Sequence, residues 1–219
     1  ILFLFLYRSE SDGEIPEVSE EISLTTIDNE SCESLIESIL GLVSADAVGF
    51  LLKHSQGNPF FLEEFILDMI ESGDLNEVDG KWQISTETGS IEIPTSMSGL
   101  INARIDRLPT EQKEGLQHSA VIGMEFWMKL YRRLTERLET TSEAEELLSG
   151  LEKRDVIVGM KDVSDLKYVF KHILTRNATY ETILKHNRQI LHNHVAEAFQ
   201  ELFPEDGSIY GEIAYHYEQ

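Results

Sequence analysis

Apolar residues recur along most of this chain at helical spacing, in short blocks cut off by glycine or proline, and that pattern points to a set of short packed helices. The stretch 58–72 shows it most fully. Phe61, Phe65 and Met69, with Leu62, Ile66 and Ile70 beside them, lay a wide apolar stripe on one helix, and Gly73 stands where a left-handed glycine ends a helix. Ahead of it, Leu35, Ile36, Ile39 and Leu40 form one face closed by Gly41. Ser44 is placed to cap a further helix carrying Val48, Leu51 and Leu52, which Gly57 stops. Asp79-Gly80 between two short extended runs, 75–78 and 81–84, predicts a hairpin.

Pro94 opens a second block. Helices are predicted over 96–108, 110–122, 126–134 and 142–153, then strands over 156–160 and 166–170, the second alternating with Leu166, Tyr168 and Phe170 on one face. Several helices followed by a hairpin is the order of a winged-helix domain. Helices over 173–184, 187–202 and 208–217 follow, the last with Tyr210, Ile213, Ala214 and Tyr217 on a single face. The expected fold is mainly α. Residues 29–93 form a helical unit, 94–185 a winged-helix unit with a small β-hairpin, and 186–219 helices that could begin a helical array.

The run ILFLFLY at 1–7 is too short to span a bilayer. Its basic residue, Arg8, follows the run, whereas in a signal peptide the basic residue comes first. An unbroken series of Leu, Ile and Phe is the pattern of a strand buried on both faces of a parallel sheet. Nothing before it supplies that sheet, so the chain is expected to be cut from something longer, with residues 1–28 as the end of an α/β domain and a linker. The polar stretch after Arg8 carries Gly13 and Pro16 as breakers and a short extended piece over 22–27. Without its sheet, the strand offers unpaired edges, and self-association is the expected result.

Charge narrows the partners. The 219 residues carry a net charge of −22, spread along the chain, and a surface that acidic repels phosphate backbones and anionic lipid. Nucleic acid and membrane are therefore not expected as partners. The single cysteine, Cys32, permits no internal disulfide and no cysteine metal cluster, and it reads as a structural thiol of a reducing, cytoplasmic compartment. No phosphate-cradling G-x-x-x-x-G-K-[ST], no G-x-S-x-G and no H-E-x-x-H occurs. His192 and His194, two residues apart on a helix, point to different faces and make a poor metal pair.

The segment Gly57-Asn58-Pro59-Phe60-Phe61-Leu62-Glu63-Glu64 places a helix-stopping glycine and then a proline in the first turn of the next helix, where its missing N–H goes unnoticed. By physics alone this is a tight joint between two helices. Taken with its neighbours, it carries a resemblance. The segments ILFLFLYRSE, GNPFFLEEFILDMIESGDL, IPTSMSGLINARIDRLP, LQHSAVIGMEF and YVFKHILTRNATYETILKHNRQILHNHVAEAF stand in the order found in the STAND signalling ATPases. The class resembled is the one fused to adenylate cyclases, serine/threonine kinases and helical-repeat regulators.

The resemblance implies a role for each segment. Arg8 would end the strand after the Walker B strand and sense the terminal phosphate, with capping of the strand or pairing with Glu10 as its plainer alternative. Gly57, Asn58 and Pro59 would be the GNP motif of the helical lid, with Pro59 packed near the adenine. His172, in Phe170-Lys171-His172, would follow the last strand of the winged helix and reach the phosphates of bound ADP, a plain core or surface histidine being the alternative. The terminal helices resemble the start of a tetratricopeptide-like array. ATP or ADP with magnesium would be the cofactor of the longer parent, whose nucleotide-binding domain and effector domain would be partners in the same chain. The Walker segments are absent from these residues, so no catalysis and no bound nucleotide is expected of this chain alone. The alternative reading is a DNA-binding winged helix of a transcription regulator. It would need a basic recognition helix, and the helix before the predicted hairpin, SEAEELLSGLEKR, is acidic.

Overall fold

The computed structural model describes residues 22–85, 93–94, 96–137, 144–161, 166–204 and 206–219. The strand expected at 1–7, Arg8 and most of the linker lie outside them. The described part is mainly helical with two small antiparallel sheets, as the helical spacing implies.

Three helices and a hairpin form the first unit: α1 (Asn29–Leu40), α2 (Ala45–Ser55), α3 (Pro59–Ser72), β1 (Leu75–Val78) and β2 (Lys81–Ile84). Each helix begins on a side-chain cap. The Asp28 carboxylate accepts from the Ser31 N–H at 2.8 Å, Ser44 from Ala47 at 3.3 Å, and the Asn58 side-chain oxygen from Phe61 at 3.1 Å. Ile36, Leu51, Leu62, Phe65, Ile66, Met69 and Leu75 are buried together as one core, which Trp82 of β2 covers from the side. Residues 22–27, expected as an extended piece, belong to no sheet; Ile27 instead donates its N–H to the Gly57 carbonyl at 2.9 Å.

The second unit runs α4 (Met97–Asp106), α5 (Thr110–Ile122), β3 (Glu125–Trp127), α6 (Met128–Arg137), α7 (Ala144–Lys153), β4 (Ile157–Lys161), β5 (Leu166–Phe170), α8 (Ile173–Glu181) and α9 (Lys185–Leu202). A 3-10 turn (Gly207–Ile209) then leads into α10 (Tyr210–Glu218). One expectation is corrected here. The helix read over 126–134 starts only at Met128, because Glu125, Phe126 and Trp127 pair antiparallel with Val169, Tyr168 and Lys167 of β5. The sheet order is β3-β5-β4, and β4 lies at an edge. Glu152 of α7 accepts the Gly159 N–H at 2.9 Å, which closes part of that edge to further pairing.

A second core fills this unit, built on Leu116, Phe126, Leu130, Tyr131, Leu134, Leu148, Leu151, Ile157, Phe170 and Val195. The two cores meet across α3 and α4. Leu100 of α4 packs into the first core, its neighbours Ile101 and Ile105 into the second, and Phe60 of α3 against the second. Among the described residues no helix is long and apolar enough to cross a membrane.

Candidate functional site

The turn joining α2 to α3 is made by two consecutive left-handed residues, Gln56 (φ 51°) and Gly57 (φ 71°). At Gly57 the conformation coincides with a close approach: a Cβ there would lie 2.6 Å from the Ile27 carbonyl oxygen and 2.9 Å from the Thr26 Cβ. Only glycine fits both conditions. Asn58 caps α3, and Pro59 occupies the first helical position, its ring exposed. These three residues therefore fix the direction in which Phe60, the next residue, leaves the joint.

His172 meets it there. The Phe60 and His172 rings stack with centroids 3.5 Å apart and planes 13° from parallel. His172 is the N-cap of α8, its Nδ1 accepting from the Leu174 N–H at 3.4 Å. The strand end before it is pinned twice, by Phe170 N–H to Met124 at 2.9 Å and Lys171 N–H to Val156 at 3.1 Å. Because Nδ1 accepts, a neutral His172 ring carries its proton on Nε2 and presents a donor there. Phe60, directly after Gly57-Asn58-Pro59, joins that segment to the distant His172; Arg8 lies outside the described residues.

A buried ionic cluster between α3 and α4 was not read from the sequence. Glu64, Asp68 and Glu71 project from one face of α3 onto Arg104 of α4 and Arg107 at its C-cap. Arg104 pairs with Glu64, pairs with Glu71 at 3.2 Å, and donates to the Arg154 carbonyl at 3.0 Å. Arg107 pairs with Asp68, and the Arg154 guanidinium lies 4.0 Å from Glu71. Burial pushes the Glu64 carboxyl above the usual carboxylate range, with Arg104 opposing. Burial also works against the Arg104 charge, but Glu64 and Glu71 outweigh it and hold the guanidinium above its ordinary value. The signal was in the sequence: carboxylates at spacings of four and three within a helix otherwise apolar, and two arginines three apart on the next.

The joint and the stack bring hydrogen-bonding and ring groups together, and a separate buried ionic cluster ties α3 to α4. Among the described residues no group of three or more His, Cys, Asp or Glu is arranged to hold a metal ion. No protein-family model and no curated protein matches the chain.

Proposed function

We propose that this chain is the lid and winged-helix part of a nucleotide-gated switch of the STAND type, controlling an effector such as a nucleotide cyclase or kinase in the same protein. One observation carries the reading: the Phe60–His172 stack joins the two places that the resemblance assigns to the nucleotide. The order helix, strand, helix, helix, hairpin from α5 to β5, with sheet order β3-β5-β4, supports the winged-helix assignment of residues 94–185. The α9–α10 helical pair supports the start of a helical array. The residues suit ADP: His172 Nε2 offers a donor for a phosphate oxygen, and the exposed Pro59 ring offers an apolar face for a base. Bound ADP would supply a phosphate anion there, and its exchange for ATP would free the effector. Nucleotide acts on such a switch only through contacts that differ between its two states. The test is the rate of ADP release from the parent protein with His172 intact or replaced, where faster release is expected on replacement.

On this reading the chain has no use for nucleic acid, and the charge pattern agrees. The basic cluster on α6 is neutralised at home. Arg132 pairs with Glu145, Arg133 with Glu201 at 2.6 Å, and Arg137 with Glu197 at 2.6 Å and with Glu201, while Lys129 lies over the Phe203 ring at 4.3 Å. Duplex DNA is therefore expected to give no salt-sensitive binding. A mobility shift at moderate salt that weakens steeply as salt rises would favour the transcription-regulator reading instead.

A further inference from the structure

The packing of α10 on α9 has a polar centre that the nucleotide reading does not use. His192 of α9 and His216 of α10 are both buried and face each other, Nδ1 to Nδ1, at 2.7 Å. On its other side His192 Nε2 meets the Tyr180 hydroxyl at 2.9 Å. His216 Nε2 is buried with no hydrogen-bond partner among the described residues. Two rings at this distance share one proton between their Nδ1 atoms. The tautomers that leave no N–H orphaned place it on His216, which donates to His192, while His192 donates from Nε2 to the Tyr180 oxygen. The orphan is then only a lone pair.

A further proton has no good place. The bridging position is filled, since two N–H groups cannot face each other at that separation. His216 Nε2 would become a buried N–H with nothing to accept it, on a charged ring. The surroundings add to the cost. Arg176 of α8 and Arg188 of α9 both lie over the Tyr180 ring, 4.9 and 4.4 Å from its centre, and both repel charge on His192. The other titratable neighbour is Tyr215, whose ring packs on both histidines. The carboxylates that bear on this region point elsewhere: Glu181 is exposed and pairs with Arg188, Glu197 and Glu201 turn to α6, and Glu212 and Glu218 are exposed on α10.

We infer that the His192–His216 pair is an acid-released fastener, holding α10 on α9 when neutral and letting it go when protonated. It is independent of the nucleotide reading. Desolvation holds both rings well below the ordinary histidine value, at about 4, with Arg176 and Arg188 adding to it at His192, and His192 and Arg176 at His216. The sign follows. A histidine depressed in the closed state and ordinary in the open one binds more protons when open, so closure is complete above about pH 6.5 and is lost as pH falls toward 4. Release would take His216 away from the Phe199 ring, 5.8 Å from it in the closed state.

The experiment is hydrogen exchange of the chain at pH 7.0 and 5.5, corrected for intrinsic rates, comparing α10 with the core helix α5. The α10 amides are expected to lose protection roughly tenfold per histidine released over that interval, with α5 unchanged. A His192→Gln/His216→Gln variant keeps amides able to bond each other and Tyr180 but cannot titrate, and its α10 protection should be level between the two pH values. Equal α10 protection in the unaltered chain at both pH values would overturn the proposal, and that arm stands even if the variant does not fold. So would an undiminished pH step in a folded variant.

Discussion

Replacing Arg104 with Ala is expected to lower the stability of the chain by about 3–5 kcal/mol, because it strands the buried Glu64 carboxylate and weakens the pairing of the partly buried Glu71. Glu64 is buried and, among the described residues, only the Arg104 guanidinium is bonded to it, while Glu71 would be left with Arg154 at 4.0 Å. Removing the charge on both sides is a different matter. The pair Glu64→Met/Arg104→Met is expected to recover most of the loss, since well-packed apolar groups often replace a buried ion pair without cost. Denaturant unfolding of the three proteins measures it. An Arg104→Ala loss under about 1 kcal/mol would mean that the cluster is hydrated and bears no weight where the two cores meet.

Gly57→Ala is the second large effect. At φ 71° a side chain costs about 1–2 kcal/mol in any surroundings, and here the new Cβ would also overlap the Ile27 carbonyl at 2.6 Å. A total of about 2–4 kcal/mol is expected, with the joint displaced away from residues 26–27. Gly73→Ala supplies the comparison. Its φ is 81° in the left-handed region but no described atom lies within 4 Å of the added carbon, so the conformational part alone, about 1–2 kcal/mol, should appear. Equal losses at the two positions would show that the approach of Ile27 is not a constraint on the joint.

The helical blocks and the Asp79-Gly80 hairpin were legible because their signals are local. Caps, glycine stops and apolar stripes sit within a few residues of what they specify, and both turn residues of the hairpin adopt the expected positive φ, 52° and 75°. β3 was not legible. Three residues cannot show alternation, and the partner that makes Phe126 a strand residue is Tyr168, in another part of the chain. The Tyr210, Ile213, Ala214 and Tyr217 face of α10 does exist, and it lines a groove with Phe203, Pro204 and Gln200 of α9, to which the Tyr217 hydroxyl donates at 3.1 Å, while the buried residue of α10 is His216. At the candidate site the joint residues could be read from glycine and proline chemistry. The stack of Phe60 on His172 could not, because ring contacts between distant segments leave no spacing in a single sequence.

Whether His172 meets a phosphate of bound nucleotide is tested most directly by the rate of ADP release. His172 also stacks on Phe60 and caps α8, so Ala alone would mix three losses. His172→Phe keeps a ring against Phe60 and removes the donor. In the parent protein, a fluorescent ADP analogue is expected to leave the His172→Phe variant roughly five- to a hundredfold faster than the unaltered protein, the worth of one charge-assisted contact of about 1–3 kcal/mol. The His172→Ala variant should release at least as fast. Release from His172→Phe at the unaltered rate, with only the thermal stability changed, would make His172 a packing and capping residue and would contradict the account.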